Sequence, residues 1–158
     1  MRRAEVITVS TRAAAGVYDD DAGPAVAELL RGAGLVVGDV RVVPDGRATV
    51  ATEIRAACET ADLVVTTGGT GLHPRDETPE ATLDVVDRVA PGFAEAMRAA
   101  SLAVTPTAML SRGVAGVRGA TLVVNLPGSP KAAVENLQVI LPVVDHALDQ
   151  LDGGDHTP

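Results

Sequence analysis

The sequence predicts an α/β domain: a mostly parallel, mixed sheet with helices on both faces and a late antiparallel edge pair. Three observations carry that prediction. Short β-branched runs alternate along the chain with segments whose apolar residues recur at helical spacing. The apolar fraction is 46% while aromatics make up only 1%, so the core is built from Val, Leu, Ile and Ala, which suits strands buried on both faces beneath alanine-rich helices. Towards the C-terminus, two strand-like runs joined by a glycine-containing turn replace the alternation. No repeat or linker interrupts the pattern, and 158 residues make one domain, taken as residues 1–152 with a flexible tail at 153–158.

In chain order, Glu5–Ser10 is the first strand. Thr11–Gly23 is a loop whose aspartates, Asp19 to Asp21, read as solvated, without the spacing of a Ca²⁺ loop. Gly23-Pro24 opens a helix with Val26, Leu29, Leu30 and Ala33 on one face, ended by Gly34. Leu35–Val37 and Val40–Val43 form a second strand, interrupted at Gly38-Asp39 and closed by the turn Pro44-Asp45-Gly46. Asp45 is either the polar residue of that turn or a ligand-facing group at the carboxyl end of a strand. A helix over about Val50–Thr60 carries Cys58, read as an inert buried thiol. Leu63–Thr67 is the next strand, followed by Gly68, Gly69 and Gly71, the charges Arg75-Asp76, and Thr78-Pro79 as N-cap and first helical residue. Leu83, Val86 and Ala90 predict a helix face that stops before Pro91-Gly92. Phe93, Ala96, Met97 and Ala100 predict another, ending near Ser101. The paired strands fall within 108–116 and 120–125. Ser129-Pro130 repeats the helix-start signal, and Val134, Leu137, Leu141, Val144, Leu148 and Leu151 mark a last helix that Pro142 should kink or split.

Composition excludes several functions. Thirteen basic against 21 acidic residues give a net charge of −8, with one Tyr and one Phe, so neither a basic face nor stacking platforms exist for nucleic acid. No stretch is apolar enough for a membrane span, and no long apolar segment follows Arg2-Arg3, which points to a soluble cytoplasmic protein. A single cysteine forms no intrachain disulfide. Gly-Gly-Thr-Gly is neither the dinucleotide fingerprint nor a Walker-type phosphate loop. His73 alone of the three histidines lies in a glycine loop, where it reads as a solvated flanking residue.

Two loops remain that share one design, a strand, a glycine turn and a proline-started helix: Thr66–Pro79 and Asn125–Pro130. Exposed amide N–H groups and helix N-termini make such loops anion sites, most naturally for phosphate. Carboxylates repel phosphate unless a divalent cation lies between them, so Asp45 and Asp76 point to Mg²⁺-assisted phosphoryl or nucleotidyl transfer.

The motifs TTGGTG-x-x-x-R-D-x-T-P-E-A (66–81), PGF-x-E-x-M-R-x-x-S-L (91–102), LSR-x-x-AG (110–116) and NLPGSPKA (125–132) resemble the MogA/MoaB family over nearly the whole chain. The opening VSTRAAAGVYDDDAGP is closer to the Mog branch. The resemblance implies a three-layer αβα sandwich, a homotrimer, and molybdopterin adenylyltransferase activity, with AMP passing from Mg²⁺-bound ATP to the terminal phosphate of molybdopterin and pyrophosphate released. It implies essential acidic and metal-holding roles for Asp45 and Asp76. Nucleotide or phosphate contacts would come from Gly68, Gly69, Thr70, Gly71, Arg75, Asn125, Pro127, Gly128 and Ser129, and molybdopterin contacts from Ser101 and Ser111. Several relatives begin the first loop Ser-Asp, where this chain has Ser10-Thr11-Arg12. Two other activities share these features: a non-catalytic molybdopterin-binding or carrier protein of the MoaB type, and a pyrophosphatase-like nucleotide hydrolase.

Overall fold

The computed structural model describes residues 1–154; residues 155–158, with His156 and most of the expected tail, lie outside them. The sheet runs β2-β1-β4-β7-β6-β5, with β3 continuing the edge beside β1. Its strands are β1 (Arg3–Val9), β2 (Val36–Val37), β3 (Arg41–Val43), β4 (Leu63–Thr67), β5 (Arg88–Val89), β6 (Ala115–Arg118) and β7 (Thr121–Leu126). β1 pairs in parallel with β2, β3 and β4, and β4 in parallel with β7. β6 is antiparallel to both β5 and β7.

Both faces of the sheet are apolar, because strand side chains alternate. Ala4, Val6, Leu63, Val65, Leu122, Val124 and Leu126 face a core completed by α2 (Ala22–Gly32), α5 (Pro91–Leu102) and α6 (Pro130–Leu151). Ile7, Val9, Val64 and Val123 face a second core under α3 (Arg47–Cys58) and α4 (Thr78–Val85). The result is an αβα sandwich with a mixed sheet. Among the described residues no helix is long and apolar enough to cross a membrane.

Several elements depart from expectation, each for a local reason. The helix expected to reach Ala90 stops at Val85, and residues 88–89 become the edge strand β5. Asp87 N donates to Val117 O at 2.8 Å and Ala90 N to Ala115 O at 2.9 Å, so the open side of β6 captures this segment. Proline at position 91 also disfavours a helical residue before it. Leu83 is consequently 47% exposed, while Ala81, Thr82 and Val85 take the buried face. In α5 the buried residues are Ala94 and Met97, and Ala96 and Ala100 are exposed. The hairpin β6–β7 is present, but β7 lies inside the sheet and β5 takes the edge. Residues 106–110 form a 3₁₀ turn instead of strand.

Pro142 neither splits nor ends α6, which runs unbroken for 22 residues. Gln138 and Pro142 both lie on the exposed side of that helix, where water can satisfy the carbonyl that loses its donor. Asn125 is 2% exposed. Its Nδ2 donates to Thr66 Oγ1 at 3.0 Å and Thr82 Oγ1 at 2.9 Å, and its Oδ1 accepts from Val114 N at 3.2 Å. One side chain thereby joins β7, β4, α4 and the segment entering β6.

Candidate active site

The carboxyl ends of β1, β3, β4 and β7 meet at one edge of the sandwich. The chain leaves β1 towards β2 and β3, then returns to β1's other side as β4. That reversal opens a crevice between the loops after β1 and β4, the usual ligand position of an open α/β sheet.

The β4 loop can be made only with glycine. Gly68 has φ +89°, and a Cβ there would lie 2.3 Å from Val9 O. Gly69 has φ +67°, and its Cβ would lie 2.3 Å from Thr78 Oγ1. The backbone is therefore wedged against the end of β1 on one side and the start of α4 on the other. Gly68 N donates to Leu126 O at 3.1 Å, and a Cβ on Gly128 would approach Gly68 Cα to 3.3 Å. The two glycine loops that look alike in sequence thus touch.

Thr78 does not cap α4 as expected. Its N–H donates to Gly69 O at 3.1 Å, and its buried hydroxyl finds no partner among the described residues. The N-cap position belongs to Glu77. Ser129 does cap α6, accepting from Ala132 N at 3.3 Å.

Asp76 supports the loop rather than the helix after it. Its Oδ2 accepts from Gly71 N at 3.0 Å and His73 N at 3.3 Å, which leaves Oδ1 available. His73 Nδ1 accepts from Arg75 N at 3.1 Å, so the imidazole also serves the turn.

The loop is held from behind by Arg112, to which the sequence reading gave no role. Its N–H donates to Thr70 O at 2.8 Å, Nε to Gly71 O at 2.8 Å and Nη2 to Asp76 O at 2.6 Å, while Nη1 binds Glu80. One guanidinium fork therefore fixes both ends of the segment bearing Asp76. The hydrogen bond from Arg112 holds the Glu80 carboxyl below its ordinary range, against an opposing effect of burial. The motif LSR-x-x-AG contained this residue, but nothing local to it shows which carbonyls it reaches.

The first loop completes the crevice. A single helical turn, α1 (Thr11–Ala14), follows β1, and Ser10 Oγ caps it by accepting from Ala13 N. Ser10 Oγ also hydrogen-bonds Tyr18 Oη at 2.8 Å. Thr11 Oγ1 donates to Asp45 Oδ2 at 2.7 Å, so the departure from Ser-Asp does not detach this loop from the site. Asp20, expected to be solvated, accepts from Thr8 Oγ1 at 2.7 Å and from Gly23 N at 3.0 Å at the start of α2.

Together these loops enclose a cavity of about 680 Å³. Asp45, Asp76, Gly68, Gly69, Arg75 and Gly128 line it, joined by Arg12 and Tyr18. A second cavity of about 270 Å³ lies beyond the glycine loop, lined by Thr70, Gly71, Ser101, Ser111, Asn125 and Pro127. Asn136 Nδ2 donates to Ser101 Oγ at 3.0 Å, and Arg98 Nη1 to Gly113 O at 2.8 Å, which shapes that smaller wall. The site residues expected from sequence are thus divided between two chambers, except Ser129, which lines neither of them. Asn125 is committed to the fold, its N–H donating to Val114 O at 3.0 Å and its side-chain amide used inside the sandwich, and the Ser129 hydroxyl is used by α6.

Residues 5–146 match the family model described as "Probable molybdopterin binding domain". The molybdopterin adenylyltransferase of Helicobacter pylori is 42% identical over 152 residues, covering 94% of this chain and 86% of that protein. The molybdopterin biosynthesis Mog protein from Mycobacterium ulcerans has a solved structure that superposes with a TM-score of 0.89 at 49% identity, covering 96% of this chain and 99% of that one. The molybdopterin biosynthesis enzyme MoaB of Thermus thermophilus superposes with a TM-score of 0.90 at 47% identity, covering 99% and 100%.

Proposed function

This chain belongs to the molybdopterin-binding domain family of molybdenum-cofactor biosynthesis, and we propose on that premise that it is a molybdopterin adenylyltransferase. The observation that supports this reading most is the pair of chambers sharing one glycine wall. A transfer between two substrates requires both to meet at one point; Gly68 and Gly69 line one chamber and Thr70 and Gly71 the other, so one short loop borders both. The larger chamber takes ATP and the smaller takes molybdopterin.

The terminal phosphate oxygen of molybdopterin attacks the α-phosphorus of ATP. The bond from that phosphorus to the oxygen leading to the β-phosphate breaks, and pyrophosphate leaves with the electron pair. A phosphate monoester is already an anionic nucleophile, so no side-chain base is needed. The enzyme's contribution is position and charge. The glycine-loop amides other than Gly68 N and Gly71 N, which the fold uses, together with Arg75 and Arg12 in the chamber lining, hold the phosphates. Asp45 and Asp76 offer hard oxygen donors on the same chamber, each with one oxygen free, and would hold a Mg²⁺ ion brought in with the nucleotide. When bound, such an ion neutralises charge on the transferred and leaving phosphates.

The test is incubation with molybdopterin, ATP and Mg²⁺. Adenylylated pterin and pyrophosphate in equal amounts are the expected products. Tight pterin binding without pyrophosphate release would replace the reading with a carrier, and pyrophosphate-bond cleavage without a pterin acceptor would replace it with a hydrolase. A homotrimer belongs to the same proposal, supported by exposed apolar side chains at Leu102, Val104, Met109 and Leu110. A light-scattering mass near that of three chains is expected, and a mass of one chain would remove it.

A further inference from the structure

Asp45 is gripped by its neighbour in a way that decides which of its oxygens reaches the chamber. Thr11 Oγ1 donates to Asp45 Oδ2 at 2.7 Å, Thr11 N donates to the same oxygen at 3.2 Å, and Asp45 N donates back to Thr11 Oγ1 at 3.1 Å. The hydroxyl gives its single proton to the carboxylate and accepts from the amide, so its direction is fixed from both sides. α1 is itself anchored, because Ser10 N donates to Val43 O at 2.9 Å beside Asp45. Oδ2 is thereby spent, and Oδ1 turns to the glycine loop, 3.3 Å from where a Cβ on Gly69 would stand. Asp76 is arranged alike, with Oδ2 spent on Gly71 N and His73 N.

We infer that Thr11 is a positioning residue that makes Asp45 a one-oxygen ligand, so that the chamber takes a divalent cation only together with the nucleotide's phosphates. This rests on the adenylyltransferase reading of the same site. Two single carboxylate oxygens leave most of a cation's coordination sphere open, and among the described residues no group of three or more His, Cys, Asp or Glu side chains gathers to hold one. Mg²⁺ suits that arrangement, because it keeps waters and shares phosphate oxygens. Ca²⁺ favours six to eight oxygen ligands, often with a bidentate carboxylate, which this grip on Oδ2 disfavours.

The experiment is calorimetric titration of the full chain and its Thr11→Val and Thr11→Ser variants with α,β-methylene-ATP, with and without MgCl₂, and with MgCl₂ alone. Valine keeps the shape without the hydroxyl, and serine restores the hydroxyl. Mg²⁺ alone is expected to give no binding to any form. The Mg²⁺–nucleotide complex is expected to bind about tenfold more weakly to Thr11→Val and within about twofold of the parent for Thr11→Ser, as suits one hydrogen bond to a charged group. If Thr11→Val fails to fold, Thr11→Ala takes its place. Equal binding by parent and Thr11→Val overturns the inference, as does a Thr11→Ser variant no better than Thr11→Val, or tight binding of Mg²⁺ without nucleotide. A parent that binds the complex but forms no adenylylated pterin removes the transferase reading and leaves the role of Thr11 to the variant comparison. A parent that binds no Mg²⁺–nucleotide complex overturns both.

Discussion

Asp76→Asn is expected to lower adenylyl transfer by at least about 100-fold, the scale of losing one preorganised electrostatic group at a phosphoryl centre, while the protein stays folded. The substitution separates the two tasks of this residue. The amide carbonyl of asparagine still accepts from Gly71 N and His73 N, as Oδ2 does now. The NH₂ group then occupies the place of Oδ1, where it has no lone pair for a cation and adds no negative charge. Replacing a charged acceptor by a neutral one weakens two exposed or half-buried hydrogen bonds, which costs on the order of 1 kcal/mol of stability. Asp76→Ala would mix the two tasks, because it also frees the loop amides. The measurement is pyrophosphate release under saturating substrates beside a thermal melt. Turnover by Asp76→Asn at the parent's rate would remove Asp76 from the chemistry.

The second large effect is structural in origin. Arg112→Met keeps the alkyl stem and removes the fork that holds Gly71 O, Asp76 O and Glu80. Loss of two charge-assisted bonds to carbonyls should lower stability by about 2–3 kcal/mol, a fall in Tm of roughly 5–10 °C for a chain of this size. The ion pair with Glu80 adds little, because both side chains are about a third exposed and solvent screens it. A loosened loop also misplaces Asp76 and the glycine amides, so transfer should fall by about 10- to 100-fold. Arg112→Lys should recover only part of either quantity, since an ammonium cannot span the fork's acceptors.

Acid titration gives an independent check on the same contact. The folded-state pKa of Glu80 is depressed below 4.5 by its hydrogen bond to Arg112, so its contribution is complete above the unfolded value and is lost as pH falls through the folded one. The stability of the parent should therefore decline more steeply than that of Arg112→Met below about pH 4.5. Parallel acid profiles and equal melting temperatures for the two would show that the clamp contributes nothing.

Much of the layer order follows from patterns within single segments. β1 and β4 are legible because short β-branched runs between helical segments specify parallel strands buried on both faces, whereas β7, legible as a strand, takes its interior place only through its parallel pairing with β4. α6 is legible because its apolar positions recur every three or four residues. The segment at 86–90 was not. Its identity as β5 depends on the unpaired edge of β6, some thirty residues later, and no local spacing encodes that partner. Pro142 misled for a similar reason: whether a helix survives a proline depends on which side of it faces water.

The glycine loops and the two aspartates could be found from sequence alone, because a bend that excludes Cβ and a carboxylate beside a phosphate cradle each require particular residue types. Sequence patterns alone specify an αβα fold and point to Gly68, Gly69, Asp45 and Asp76, which the fold brings to one cavity. That Asn125 ties the sandwich together, that Arg112 clamps the Asp76 loop, and that Thr11 selects which oxygen of Asp45 is free emerge only from the folded chain. Each of those roles includes a hydrogen bond between residues at least 34 positions apart. Directional contacts of that range depend on where the finished fold brings two backbones, which no single stretch of the chain specifies.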